Sequence, residues 1–427
     1  MRPINRNIPR MYSRDVPLLS ATRFLLRQGK QHTMRFVFLT AFVVRIPAWL
    51  IISTFFDGHL FGDDQTYLKL VEAYGQNNGA LWSDYQSWLW SKSLSFLLPA
   101  GTITKMIGFH PFMILFISVL VGSALAALVT FISLKHVSRN IALVIGIAFA
   151  LMPSQILWSS LILKDSYIAL GTALLAVVLY RKRQIGFALY GSSFFMIFLL
   201  LLFIQRIRVH TLMVVCIALV LTAIFSRGSH KILRTAFAVS MLALMPWLIT
   251  GDVGGVTYLE TLTGGMEDQR LAGAVGANTA VVDVASTLSP SSTDAPNAPN
   301  APNALNKLYE EAKYLPSGLK VMLLDPTVPQ LGNSRSLYLP FVEHLIWYPV
   351  LLLAFYGAFK TRKWTDDLLF AGLVFLGSAT MWSLAEGNFG TAYRHRTEFV
   401  WIVFLFAGIG AHHLLEARKA RAARAVV

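Results

Sequence analysis

The chain has 427 residues, 55% of them hydrophobic and only 14% charged, with a mean hydropathy of +0.56. Soluble domains carry about 25% charged residues, so a soluble fold is excluded and the composition specifies an all-α polytopic membrane protein. The net charge of +15 is distributed as short basic clusters between apolar runs, the pattern of topology determinants rather than of a nucleic-acid surface.

In chain order, residues 1–35 form an Arg-rich segment without the long apolar core of a cleavable signal peptide, and Met11 and Met34 are alternative starts within it. Apolar runs long enough to span a bilayer lie near 36–56, 111–134, 141–163, 166–180, 187–205, 209–226, 232–250, 340–359, 367–385 and 398–416. Pro153 interrupts the third of these and predicts a kinked or broken helix. The stretch 86–108 is aromatic and amphipathic, with Trp88, Trp90, Lys92 and Lys105, and reads either as interfacial helices or as an eleventh span. Counting it as a span would send Arg181-Lys182-Arg183 outward, against the positive-inside rule. About ten transmembrane helices are therefore expected, with both termini cytoplasmic and more than half of the 37 Lys and Arg on the inner side.

This topology divides the chain into five parts. A cytoplasmic basic segment (1–35) precedes a transmembrane core (36–250) whose first outer loop (57–110) carries amphipathic helices. One large outer loop (251–339) contains a three-fold Ala-Pro-Asn repeat from Ala295 to Asn303, which reads as a flexible linker. C-terminal spans (340–416) and a cytoplasmic basic tail (417–427) follow. Tyr309 to Lys313 reads as an ordinary solvated helix face. Cys216, the one cysteine, lies inside an apolar run, so no disulfide framework or Cys-based metal site is available.

Polar chemistry concentrates on the outer side. Gly62-Asp63-Asp64-Gln65-Thr66-Tyr67-Leu68 places two adjacent carboxylates just after the first span. Like charges side by side raise one pKa, which suits a general base or a metal ligand; a hydrated loop is the plain alternative. Lys164-Asp165 forms a short outer turn, where Asp165 also suits a helix N-terminus. Arg206, Arg208 and His210 form another, and Arg394-His395-Arg396 follows Glu386, Gly387, Asn388 and Gly390 near the last span. Arg at the outer face works against orientation, and its guanidinium fork matches phosphate oxygens. These basic groups can therefore converge on a phosphate-bearing headgroup, or simply snorkel to lipid phosphates. Arg45, within the first span, is expected to face protein, water or a carboxylate, and no other charged residue is expected to be buried within a span.

An Arg-bearing first helix, an outer acidic pair, aromatic amphipathic helices and the run Pro153-Ser154-Gln155-Ile156-Leu157-Trp158-Ser159-Ser160 leading to Lys164-Asp165 together resemble the GT-C superfamily of integral-membrane glycosyltransferases. Gly387-Asn388-x-Gly390-Thr391-x-x-Arg394-His395-Arg396 resembles a segment of bacterial membrane proteins of that kind. The resemblance covers roughly 36–250 and 340–416 and rests on short, degenerate motifs. It implies transfer of a sugar from a polyprenyl-phosphate donor to an envelope lipid, glycan or protein acceptor at the outer face of the inner or plasma membrane. Within it, Asp63 or Asp64 would be the base and Asp165 would orient acceptor or base. Lys164, Arg206, Arg208, Arg394, His395 and Arg396 would hold the donor phosphate, and His210, Glu386, Asn388 and Tyr67 would border the substrates. No cofactor is required; some relatives use a divalent ion, Mg or Mn, which the Asp pair would permit. The linker-like 251–339 loop departs from the folded periplasmic domain of many members. The competing readings are an envelope polysaccharide polymerase or ligase using undecaprenyl-pyrophosphate-linked glycans, and a lipid-linked glycan transporter. No internal repeat supports the transporter.

Overall fold

In the computed structural model the described residues are 17–76, 84–182, 192–226, 232, 234–241, 304–328 and 337–425. Among them there is no strand, and the chain is a bundle of helices. The Ala-Pro-Asn repeat and most of the apolar run 232–250 lie outside these residues.

Helix α1 (Pro17–Phe55) is longer than the expected span, because helix continues unbroken from the N-terminal segment into the apolar run. Its apolar residues divide by helical spacing: Val37, Ala41, Trp49 and Ile52 are buried, whereas Phe36, Leu39, Val43 and Leu50 are exposed. An outward face that apolar belongs against lipid. At its end, Gly58 has a φ of 84°, a conformation open to glycine, and a Cβ there would sit 2.6 Å from Pro111. This turn sends the chain into the first-loop helices α2 (Gly62–Gly75), α3 (Asp84–Ser91) and α4 (Leu94–Ile107). The stretch 86–108 is thus two short helices, each below the ~20 residues a span requires. Leu70, Val71, Phe96 and Leu97 seat them in one apolar cluster with Leu115 and Val119 of α5 (Pro111–His136).

The next span breaks as the sequence predicts. Helix α6 (Arg139–Ala150) and helix α7 (Pro153–Ser159) meet at 57°, because Pro153 lacks an N–H and clashes with a continuing helix. Arg45 satisfies the opened backbone. Its guanidinium, wholly buried, donates to the carbonyls of Ala150 (3.4 Å) and Gln155 (3.2 Å), to Ala41 O (2.8 Å), and to Ser159 Oγ (2.6 Å). Among the described residues its partners are therefore protein carbonyls and a hydroxyl, and no carboxylate takes part.

Helices α8 (Asp165–Lys182), α9 (Ser192–Gln205) and α10 (Val209–Phe225) complete the N-terminal half. Helix α11 (Ala304–Leu323), in the expected outer loop, lies against helix α13 (Asp366–Ala385), and a Cβ on Gly318 would fall 1.9 Å from Ser383 O. Helix α12 (Tyr338–Lys360), the short α14 (Phe389–Arg396) and α15 (Val400–Ala425) end the chain. Helices α12 and α15 cross on glycines: a Cβ at Gly357 would lie 2.0 Å from Phe406 O, and one at Gly410 would lie 2.2 Å from Leu353 O.

Five described helices are long and apolar enough to cross a membrane, beginning with Gln31–Phe55 of α1 and continuing with α5, α12, α13 and α15; the bent α6–α7 pair makes six. The expected spans at 187–205 and 209–226 appear as helices of 14 and 17 residues. The chain is a membrane-embedded helical protein with fewer full-length spans among its described residues than the ten expected.

Candidate functional site

The two adjacent carboxylates have opposite surroundings. Asp64 is wholly buried and accepts from the backbone N–H groups of Leu60 (2.8 Å), Phe61 (2.9 Å) and Gln65 (3.1 Å), closing the N-terminus of α2. Burial pushes its carboxyl above the usual range, against these bonds. Asp63 points away, with its side chain 64% exposed, and accepts from Arg394 Nη1 at 2.6 Å.

Arg394 joins that exposed carboxylate to a buried ionic chain. Its Nε donates to Asp165 Oδ2 at 2.7 Å. Despite complete burial, Asp165 is held well below the usual carboxylate range by Arg394 and Arg208. Arg208 lies 3.4 Å from Asp165 and is hydrogen-bonded to Glu398, which also accepts from Trp382 Nε1 (3.2 Å) and Thr211 (3.3 Å). The Trp382 ring faces the Arg208 guanidinium at 4.7 Å and stacks on His395 at 3.8 Å. His395 bonds Glu386, which in turn takes the Thr391 hydroxyl.

Lys164 flanks this chain. Its ammonium lies 5.3 Å from the ring of Tyr67, one turn along α2 from Asp63. Burial, together with Arg208, lowers it to about 7. Helix geometry explains the convergence: Asp63 is in the first turn of α2, Asp165 opens α8, Arg208 is the residue before α10 and Glu398 lies two residues before α15. Several positive dipole ends therefore meet at one place and favour negative charge there.

A cavity of about 500 Å³ opens beside Asp63 and Arg394, walled by Phe61, Trp158, Pro340 and Tyr393. Asn388 also lines it and accepts from Gly390 N at 2.7 Å, capping α14. The cavity thus brings an exposed carboxylate, a fixed guanidinium and aromatic walls together.

Other expected residues stand apart. Arg206 is exposed, and its backbone carbonyl accepts from Ser95 N at 3.4 Å. His210, two residues past Arg208, is also exposed. Arg396, two residues beyond Arg394, turns into a separate pocket: it donates to Asp325 O (2.9 Å) and faces Trp347 at 5.2 Å. Helical positions diverge by about 100° per residue, so Arg394 and Arg396 reach different partners. Among the described residues, no group of three His, Cys, Asp or Glu side chains forms a metal-binding set.

The sequence reading passed over Glu398 and Trp382, the acid and the ring that hold Arg208, and also Glu343. Glu343, on α12, is a carboxylate buried within a span, contrary to expectation, and accepts from Tyr393 Oη (2.7 Å) and Ser154 N (2.5 Å). Glu398 directly follows the Arg-rich run and Glu343 interrupts an apolar one, so both left a legible signal.

By class, then, this is an all-helical, membrane-embedded protein with a buried ionic chain ending at an open cavity. Comparison with protein-family models, curated proteins and solved structures found no match.

Proposed function

We propose that the chain is a membrane glycosyltransferase that moves a sugar from a polyprenyl-phosphate donor to an acceptor hydroxyl at the outer face, as its resemblance to the GT-C superfamily implies. The observation that carries this reading is the pairing of exposed Asp63 with Arg394, itself anchored by buried Asp165, at the edge of the cavity.

The arrangement supplies both charges that sugar transfer needs. The acceptor hydroxyl gives its proton to Asp63 as its oxygen bonds the anomeric carbon. The bond from that carbon to the phosphate oxygen breaks, and the electron pair leaves on the phosphate, facing Arg394 with Lys164 and Arg208 behind it. In the free protein Asp63 occupies Arg394. A donor phosphate, carrying more charge and several acceptor oxygens, displaces that carboxylate and releases it to act as base. Asp64, consumed by the N-terminus of α2, is assigned no chemical role.

The test is an assay with synthetic polyprenyl-phosphate sugars and mass detection of the glycosylated acceptor. The expected result is product with wild type and with Asp64→Asn in proportion to folded protein, and loss with Asp63→Asn. Full activity of Asp63→Asn would move the assignment to a polymerase or ligase relying on Arg and His. Lipid-linked glycan crossing proteoliposomes without a new glycosidic bond would move it to a transporter.

A further inference from the structure

A second feature lies between three long helices, set apart from the ionic chain along α13 but beginning about one turn after Glu398 on α15. Helices α12, α13 and α15 enclose a crevice of about 390 Å³ with apolar walls throughout, including Leu351, Phe355, Leu369, Gly372, Leu376 and Phe406. All three helices are membrane-crossing in length and composition, so the crevice opens at hydrocarbon depth. On α13 it occupies the N-terminal half, whereas Trp382, which contacts Arg208, lies near the C-terminus of this 20-residue helix. Glycine keeps it open: a Cβ on Gly372 would lie 3.1 Å from the Trp364 ring.

Among the described residues, the exposed charges at its end are all positive. Lys360, Arg362 and Lys363 are exposed on the turn joining α12 to α13, and Trp364 beside them forms part of the crevice wall. The nearby acids are engaged elsewhere: Asp366 is buried and accepts from Ser226 at 2.7 Å, and Asp367 is buried 2.7 Å from His136. The C-terminal dipole of α12 explains a cation at Lys360, but Arg362 and Lys363 lie beyond the helix. Topology determination accounts for basic turns in general, yet it requires no apolar slot beneath them.

We infer that this crevice is a binding site for one anionic glycerophospholipid, with an acyl chain between α12, α13 and α15 and the phosphate against Lys360, Arg362 and Lys363. The crevice supplies apolar contact, the turn supplies charge complementarity, and Trp364 sits at the boundary where interfacial aromatics belong. The site is independent of the proposed transferase reaction.

Native mass spectrometry of the full-length protein in detergent, titrated with phosphatidylglycerol or phosphatidylcholine of matched chains, tests the inference. One phosphatidylglycerol should be retained about tenfold more strongly than phosphatidylcholine. The K360Q/R362Q/K363Q variant, with its orientation checked by a terminal reporter, should bring the two lipids to parity. Gly372→Leu, at an unchanged unfolding temperature, should weaken retention of both. Equal retention of the two lipids by wild type, or a preference for phosphatidylglycerol that survives loss of all three cations, would overturn the inference.

Discussion

At the residue scale, position on a helix end separates two identical neighbours. Asp64 closes the first turn of α2 with three backbone bonds, so Asp64→Ala is expected to cost about 1–2 kcal/mol, read as a lower unfolding temperature. Asp63 is largely exposed and its pair with Arg394 contributes at most about 1 kcal/mol, so Asp63→Asn should leave the unfolding temperature nearly unchanged. Under the proposed mechanism it should lower turnover by about 10²- to 10⁴-fold, the range for losing a general base. It should also tighten binding of farnesyl phosphate, because Arg394 no longer has a competing carboxylate. Weaker binding of that probe by Asp63→Asn would contradict the exchange of partners at Arg394.

At the scale of elements, the broken span and the glycine crossing are the places where the helices depend on individual side chains. Arg45 supplies donors to the carbonyls opened between α6 and α7, so Arg45→Leu leaves buried acceptors unpaired. A loss of about 3 kcal/mol is expected, measured by thermal unfolding in detergent. Where α12 crosses α15, a side chain at Gly357 would enter the backbone of Phe406. Gly357→Leu should therefore separate the helices and cost about 2–4 kcal/mol, with increased proteolysis of the C-terminal half. An unchanged unfolding temperature in either variant would show that the close approach is not what holds these helices. Pro153 and Arg45 were both legible in the sequence, but their relation was not. A proline announces a break locally, whereas the donor that satisfies it is brought from another helix by packing.

At the scale of the whole molecule, the ionic chain ties together the N-termini of α2, α8, α10 and α15. Lys164, beside that chain, gives it a pH dependence. Burial and Arg208 lower its ammonium to about 7, whereas a lysine in an unfolded chain titrates near pH ~10.4. Between those values the unfolded chain binds more protons, so this group's contribution to stability rises as pH increases from about 7 toward 10. Anion binding runs in the opposite direction, because the cation that attracts phosphate is lost over the same interval. Farnesyl phosphate affinity should fall as pH is raised through about 7 and 8, and Lys164→Met should flatten both slopes. Equal slopes in the variant and the wild type would assign the titration to another group.

The amino-acid sequence by itself determined the solvent the chain lives in and the class of its fold, since lipid demands long apolar helices and composition reports that directly. It also determined the break at Pro153 and the concentration of Asp63, Lys164, Asp165, Arg208 and Arg394 near the ends of the apolar runs. Only the tertiary structure decided which of these groups meet. Asp63, Asp165, Arg208 and Arg394 join across helices distant in sequence, while Asp64, Arg206 and Arg396, as close to them along the chain, turn elsewhere. The reason is geometric: adjacent residues on a helix point about 100° apart, so proximity in sequence does not establish a common direction for charge.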